Sequence, residues 1–216
     1  MWRILVLSAY PELLVPGLIS NNCDEIIFQN ERHPALTPEW ILERKIDFII
    51  VFVHNRIIKK NILDLVPAIN VHGSLLPLNR GPNPILWAWL NKTQQGVTVH
   101  YMNEGVDTGD IIAQKSVVLP TDITYSKSFD IIVKECANLF RMTWPLIRAG
   151  MNERRVQSGE ITSHRLADQK VLNDFIRHNQ NSMGILEFCE KARLILEGKD
   201  PNDVKMKLAK KKKKKN

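Results

Sequence analysis

Ile69-Asn70-Val71-His72-Gly73-Ser74-Leu75-Leu76-Pro77 reads as a short strand that ends by presenting polar side chains at a turn. Side chains alternate along a strand, so Ile69 and Val71 share one face while Asn70 and His72 share the other. Placing an amide and an imidazole side by side in core space costs free energy unless both find partners. An open parallel sheet does its chemistry beyond the carboxyl ends of its strands, which is where this pair falls. A second segment, Gly105-Val106-Asp107-Thr108-Gly109-Asp110, supplies a carboxylate downstream.

Working outward, the flanking sequence alternates strands and helices. Ile4 to Ser8 and Asp24 to Phe28 are candidate strands, and Asp47 to Val53 is a continuous apolar run suited to a strand covered on both faces. Thr37 followed by Pro38 predicts a helix start, running to Lys45. Asn61 to Leu65 reads as a short helix, and Gly96 to Met102 alternates strictly, with Thr98, His100 and Met102 on one face. Ile111 to Val118 follows as another strand. Phe129, Ile132, Val133, Cys136, Phe140, Trp144 and Ile147 recur at helical spacing, predicting a long helix from Thr124 or Ser126 to Arg148. Asp168 to His178 and Ser182 to Glu197 also read as helices. This order predicts an α/β fold: a mostly parallel sheet flanked by helices. Residues 1–150 form the expected catalytic domain, 151–204 a short, mainly helical extension and 205–216 a lysine-rich tail. Ser8 to Asp24 leaves little room for a full first crossover helix.

The chain has 216 residues, 44% hydrophobic and 25% charged, with a formal charge of +7. Lys210 to Lys215 supply six of those charges, so the remainder is close to neutral. The lysine run reads as a solvated tail, with attraction to RNA or an anionic surface as the alternative. Cys23, Cys136 and Cys189 lack metal-like spacing and read as small buried residues of a reducing compartment; no metal is expected. The first residues are too brief for a signal sequence, and no stretch approaches a membrane span. The expectation is a cytoplasmic protein without a membrane partner.

Asn70-x-His72, Ser74-Leu75-Leu76-Pro77, Arg80-Gly81, Gly96-Val97-Thr98 and Val106-Asp107-Thr108-Gly109, in that order, resemble the signature of folate-dependent formyltransferases. The resemblance is densest from Asp47 to Lys115. It implies a Rossmann-like domain that moves a formyl group from 10-formyltetrahydrofolate to an amine. The chemistry fits these residue types independently. Attack on a formamide-like carbon builds a tetrahedral oxyanion and expels a nitrogen leaving group, so the site needs an oxyanion donor, a proton shuttle and an orienting group. Asn70, His72 and Asp107 match those roles in turn. Asp110 is open between loop support and solvent, and His100 reads as a packing or supporting residue. The resemblance also implies that the pterin meets the main chain of Arg56, Ile57 and Ile58 and of Asn103, Glu104, Gly105 and Val106. Lys59 or Lys60 is available to the glutamate tail. On the acceptor side it points to Ser74, Arg80, Gly81 and Trp87. Arg80 is open between the acceptor and a local carboxylate, Trp87 between a ring platform and packing.

Three acceptors are familiar in that family. Ala9-Tyr10-Pro11-Glu12-Leu13 lacks the glycines that a phosphate loop after the first strand requires, which weakens glycinamide ribonucleotide. The helical reading after Gly150 weakens methionyl-tRNA, whose enzymes add a C-terminal β-barrel. Asn79 to Pro84 with Trp87, the helix holding Ser126 and Phe129, and Gly159 to Arg165 look most like the sugar N-formyltransferases. The expected partner is therefore a nucleotide-linked deoxyamino sugar, with a homodimer expected by analogy. A non-catalytic folate- or nucleotide-binding protein is the alternative of another class.

Overall fold

The computed structural model describes residues 1–18, 24–30 and 32–203. The tail 205–216 and Cys23 lie outside the described residues. Six strands form one sheet: β1 (Arg3–Ser8), β2 (Glu25–Gln29), β3 (Phe48–Phe52), β4 (Ala68–His72), β5 (Gly96–Tyr101) and β6 (Ile111–Ser116), in the order β2-β1-β3-β4-β5-β6. The first four run parallel, while β4–β5 and β5–β6 are antiparallel. Three of the five strand pairings are parallel, so the sheet is mostly parallel as expected, with the antiparallel β5 and β6 added along one edge. Strand positions were readable from periodicity, but the reversal at β5 was not. The connection 102–110 is shorter than the dozen or so residues that a crossover needs, so β6 must return antiparallel.

Helices cover both faces. On one side lie α1 (Pro11–Leu18), α4 (Pro84–Asn91), α5 (Tyr125–Arg148) and α7 (Ile185–Leu196); on the other lie α2 (Pro38–Glu43) and α3 (Lys60–Leu63). A 3₁₀ turn, Leu166–Leu172, leads into α6 (Asn173–Asn179). Thr37 and Thr124 cap α2 and α5, accepting from Trp40 N and Lys127 N at 3.2 Å each. These contacts satisfy amides that open helix ends leave without partners. Within the first crossover, α1 is two short turns of helix, in keeping with the cramped sequence before Asp24.

Alternation divides the core in two. Ile4, Val6, Phe48, Ile50, Phe52, Ile69, Val71, Val97 and Val99 face α1, α4, α5 and α7 in one large cluster. Leu172, Ile185, Phe188, Cys189 and Ala192 join that same cluster, so residues beyond 150 share the main core. Leu5, Leu7, Ile49, Val51 and Ala68 face the other way, against Ile41 of α2 and Ile62 of α3. This second cluster stops partway along β4. Beyond Ala68 the same face carries Asn70 and His72, and across β5 it carries Thr98 and His100. The polar residues therefore begin where the apolar cover of α2 and α3 ends. Among the described residues no helix is long and apolar enough to cross a membrane.

Candidate active site

In the antiparallel β4–β5 register Asn70 lies opposite His100 and His72 opposite Thr98. The β5–β6 pairing shifts between Val99 and His100, an irregularity of the kind that re-aims a side chain. The loop 102–110 folds back over this face and delivers Asp107 to the pair. Asn70 Nδ2 donates to Asp107 Oδ1 at 3.0 Å, and Gly81 N donates to Asp107 Oδ2 at 2.8 Å. His72 Nδ1 lies 3.6 Å from Oδ2 and His100 Nε2 lies 3.4 Å from Oδ1. One carboxylate is thus the hub of four groups drawn from three chain segments.

The ring of His72 is oriented differently from the sequence expectation. At 3.6 Å its contact with Asp107 is an ion-pair distance rather than a hydrogen bond. The hydrogen bond that fixes the ring runs from Nε2 to the Asn79 carbonyl at 3.0 Å. That bond assigns the proton to Nε2 and leaves Nδ1 of the neutral ring as an acceptor facing Asp107. Asn79 is fully buried and uses every polar group it has. Besides its carbonyl, its N–H donates to Thr162 Oγ1 at 2.7 Å, its Nδ2 to Thr93 Oγ1 at 2.9 Å, and its Oδ1 accepts from Asn91 Nδ2 at 3.1 Å.

Burial pushes the His72 ring below its ordinary value of 6.5, against the pull of the Asp107 charge. Burial also pushes the Asp107 carboxyl upward. The His72 charge, then His100 and the Gly81 N–H, outweigh burial and hold it well below the usual carboxylate range. The two effects compete, because a charged His72 is what burial opposes. An ionised Asp107 facing a neutral His72 resolves the conflict, since Asn70 and Gly81 stabilise the carboxylate with neutral donors.

The other anticipated residues fall into distinct places. Ser74 is fully buried, and its hydroxyl donates to Leu78 O at 2.7 Å, so it braces the turn after β4. Trp87 is buried and stacks on His164 with ring centroids 3.8 Å apart; this is the packing alternative. Arg80 meets neither a carboxylate nor open space on its bonded edge: Nε and Nη2 both donate to Gln157 Oε1. Gly81 has φ +94, and a Cβ there would overlap the His164 carbonyl oxygen. Asp110 pairs with Arg154 at 3.4 Å. Cys136 and Cys189 are buried and unpaired with each other.

Arg56 donates to the carbonyls of Pro34 and His33 at 2.8 and 2.5 Å, turning its charge toward the protein. Its neighbour Ile57 is 76% exposed, as is Val106 to 56%, while Ile58 belongs to the second core cluster that Met102 also packs against. Lys60 is held protonated chiefly by Asp64 and further by Glu104, which brings the 56–60 and 103–106 stretches to one side of the molecule. Exposed apolar side chains on two loops beside a polar face fit a flat heteroaromatic ring with polar edges. Among the described residues no cluster of three or more His, Cys, Asp or Glu side chains has metal-holding geometry. The supporting roles of Asn79, Gln157 and Thr162 were missed in the sequence. Asn79 and Thr162 fall in the Asn79 to Pro84 and Gly159 to Arg165 resemblances, and Gln157 had no signal.

This strand end gathers an amide, an imidazole and a carboxylate, the groups that transfer through a tetrahedral oxyanion requires. Residues 20–130 match the formyl transferase family, and the chain belongs to that family. It is 42% identical over 129 residues to a methionyl-tRNA formyltransferase of Agathobacter rectalis, covering 58% of this chain and 42% of that protein. With the methionyl-tRNA formyltransferase of Clostridioides difficile it shares 36% over 152 residues, 69% of this chain and 46% of that one. The chain spans less than half the length of these curated relatives. The formyltransferase PseJ from Anoxybacillus kamchatkensis superposes with a TM-score of 0.75 at 29% identity, covering 85% of this chain and 96% of that chain. PseJ was solved in complex with UDP-4,6-dideoxy-4-formamido-L-AltNAc and tetrahydrofolate. A sugar N-formyltransferase from Shewanella sp FDAARGOS_354, at 18% identity, TM-score 0.70 and 80% coverage of both chains, shares the fold.

Proposed function

We propose that this protein transfers a formyl group from 10-formyltetrahydrofolate to the amine of a nucleotide-linked deoxyamino sugar. The observation that carries the transfer chemistry is the convergence of Asn70 and His72 on the Asp107 carboxylate, at 3.0 and 3.6 Å. The acceptor amine attacks the formyl carbon, forming a C–N bond and an oxyanion. Asn70 spends one amide hydrogen on Asp107 and has a second to offer that oxyanion. His72 Nδ1 takes the proton released by the amine, and the resulting imidazolium faces the Asp107 carboxylate. The proton then passes to N10 of the cosubstrate as the N10–carbon bond breaks, leaving tetrahydrofolate and the formamide. Main-chain groups of Arg56, Ile57 and Ile58 and of Asn103, Glu104, Gly105 and Val106 hold the pterin in this reading.

For the acceptor, the support is the 96% coverage of PseJ together with a cleft of about 390 Å³. Tyr10, Asn83, Ser126, Phe129, Asp130 and Gln180 line it, and Asn83 is two residues from the Gly81 amide that holds Asp107. Amides, hydroxyls and an aromatic edge suit a sugar or base ring. Methionyl-tRNA is the second reading, favoured by the 42% identity to the Agathobacter rectalis enzyme. The protein is to be incubated with 10-formyltetrahydrofolate and either UDP- and dTDP-linked 4-amino-4,6-dideoxy sugars or initiator methionyl-tRNA. An N-formyl sugar product is expected. Formylation of methionyl-tRNA alone would replace the sugar reading, and no product from either would remove both.

A further inference from the structure

We propose that Gln157 is a positioning residue for Asp107, locking the turn that aims the carboxylate at Asn70, Gly81 and His72. Gln157 lies beyond residues 20–130, the stretch that matches the family. Its Nε2 donates to the carbonyls of Asp107 and Gly109, at 2.8 Å each, gripping the chain on both sides of Thr108. Its Oε1 accepts from Arg80 Nε at 3.2 Å and Nη2 at 2.8 Å. Two donors and two lone pairs are all that a carboxamide has, and all four are used.

What the amide holds is a conformation that needs holding. Asp107 has φ 52, a left-handed backbone that carries strain in a residue with a Cβ. Gly109 is pressed so close to the Tyr101 carbonyl that a Cβ would overlap it. The carboxylate reaches Gly81 N only while this turn keeps its shape, and Gly81 is next to Arg80, the other partner of Gln157. One side chain thus spans both loops that meet at Asp107. The neighbouring chain completes the brace: Arg80 N donates to Thr162 O and His164 N to Arg80 O, each at 2.9 Å.

Carboxylate cannot replace the amide here, although it is isosteric. Gln157→Glu keeps an acceptor for Arg80 but sets an oxygen against two carbonyl oxygens. Gln157→Leu removes both halves. A reacting group misplaced by about 1 Å costs on the order of 100-fold in rate. Both variants are therefore expected to lower kcat about 10- to 100-fold, with KM for cosubstrate and acceptor within about twofold of the parent. In the Asp107→Ala background, Gln157→Leu is expected to change kcat by less than about twofold, because its target is gone.

This inference rests on the role of Asp107 in formyl transfer, so a structural measurement accompanies the kinetics. Crystal structures of Gln157→Leu and Gln157→Glu are expected to show the Asp107 carboxylate withdrawn from Gly81 N. Near-parental kcat in both variants, losses that multiply in the Asp107→Ala background, or an undisturbed Asp107 turn would each overturn the proposal. If Gln157→Leu does not fold, Gln157→Glu alone and with Asp107→Ala decides by the same criteria. Failure of the unaltered protein to formylate any acceptor would sink the enzymatic reading, and the crystal structures would still decide the positioning claim.

Discussion

Asn70 and Asp107 are joined by a 3.0 Å hydrogen bond that connects the end of β4 to a loop 37 residues further along the chain. The bond spends half of the Asn70 side-chain donor capacity on the carboxylate and leaves the other half for the proposed oxyanion. Asn70→Ala removes both functions. The expected outcome is a kcat lower by about 10²–10³, the range for losing one oxyanion donor, measured as formamide formed per enzyme at saturating cosubstrate.

Replacing His72 with Asn is expected to cut turnover by about 10²–10⁴, the usual contribution of a proton-transferring group. Near-normal turnover would remove His72 from the mechanism. In the parent protein the rate should hold at neutral pH and fall on the acid side below 6.5, because burial keeps the ring neutral to lower pH than in water.

The same residue links folding to pH. The folded ring binds its proton below 6.5 and the unfolded ring at about 6.5, so the unfolded chain holds more protons between those values. Its contribution to stability is therefore complete above 6.5 and is lost as pH falls through the folded value. Urea melts at pH 7.5 and 5.5 should show a steeper acid loss in the parent than in His72→Asn; equal slopes would contradict a buried neutral ring.

Two glycines in left-handed conformations give a matched comparison. Gly81→Ala meets the His164 carbonyl at once and should destabilise by about 2–3 kcal/mol, whereas Gly150, φ +67 with nothing within 4 Å, should cost only about 1 kcal/mol as Ala. Paired denaturant titrations test the difference, and equal losses would argue against the close approach at Gly81.

Far from the site, Arg148 at the end of α5 clamps Asp24 through two hydrogen bonds of 2.7 and 2.9 Å, and Trp2 N adds a third at 2.7 Å. Led by the Arg148 hydrogen bond, these contacts hold the Asp24 carboxyl below 3.8. The stability they supply is present above about 3.8 and is lost as pH falls through the folded value. Asp24→Asn should cost about 2 kcal/mol at pH 7, measured by thermal melting, and less at pH 3.

The sheet and its helices were legible because burial writes a period into the chain. The run Phe48–Phe52 is buried throughout, and the alternation in Gly96–Tyr101 survives as two faces of β5. Asn70, His72 and Asp107 were legible because side-chain chemistry is encoded by residue type. The groups that hold them were not. His72 leans on a carbonyl, which every residue possesses, and Asn79, Thr162 and Gln157 act across 7, 83 and 50 residues of chain. Ser74, anticipated on the acceptor side, is buried in the turn after β4, and Trp87, open between ring platform and packing, stacks on His164. A buried polar residue and an exposed one share the same letter.

The unequal division of the core has a consequence for motion. The smaller cluster rests on α2, six residues long, and α3, four residues long, and it underlies the Ile57–Ile58 stretch. Amide hydrogens there should exchange with solvent at far lower protection than those beneath α5, whose 24 residues anchor the opposite layer. The layer on which Ile57 and Ile58 rest is thereby the one built to breathe, and the layer beneath α5 keeps its shape behind it.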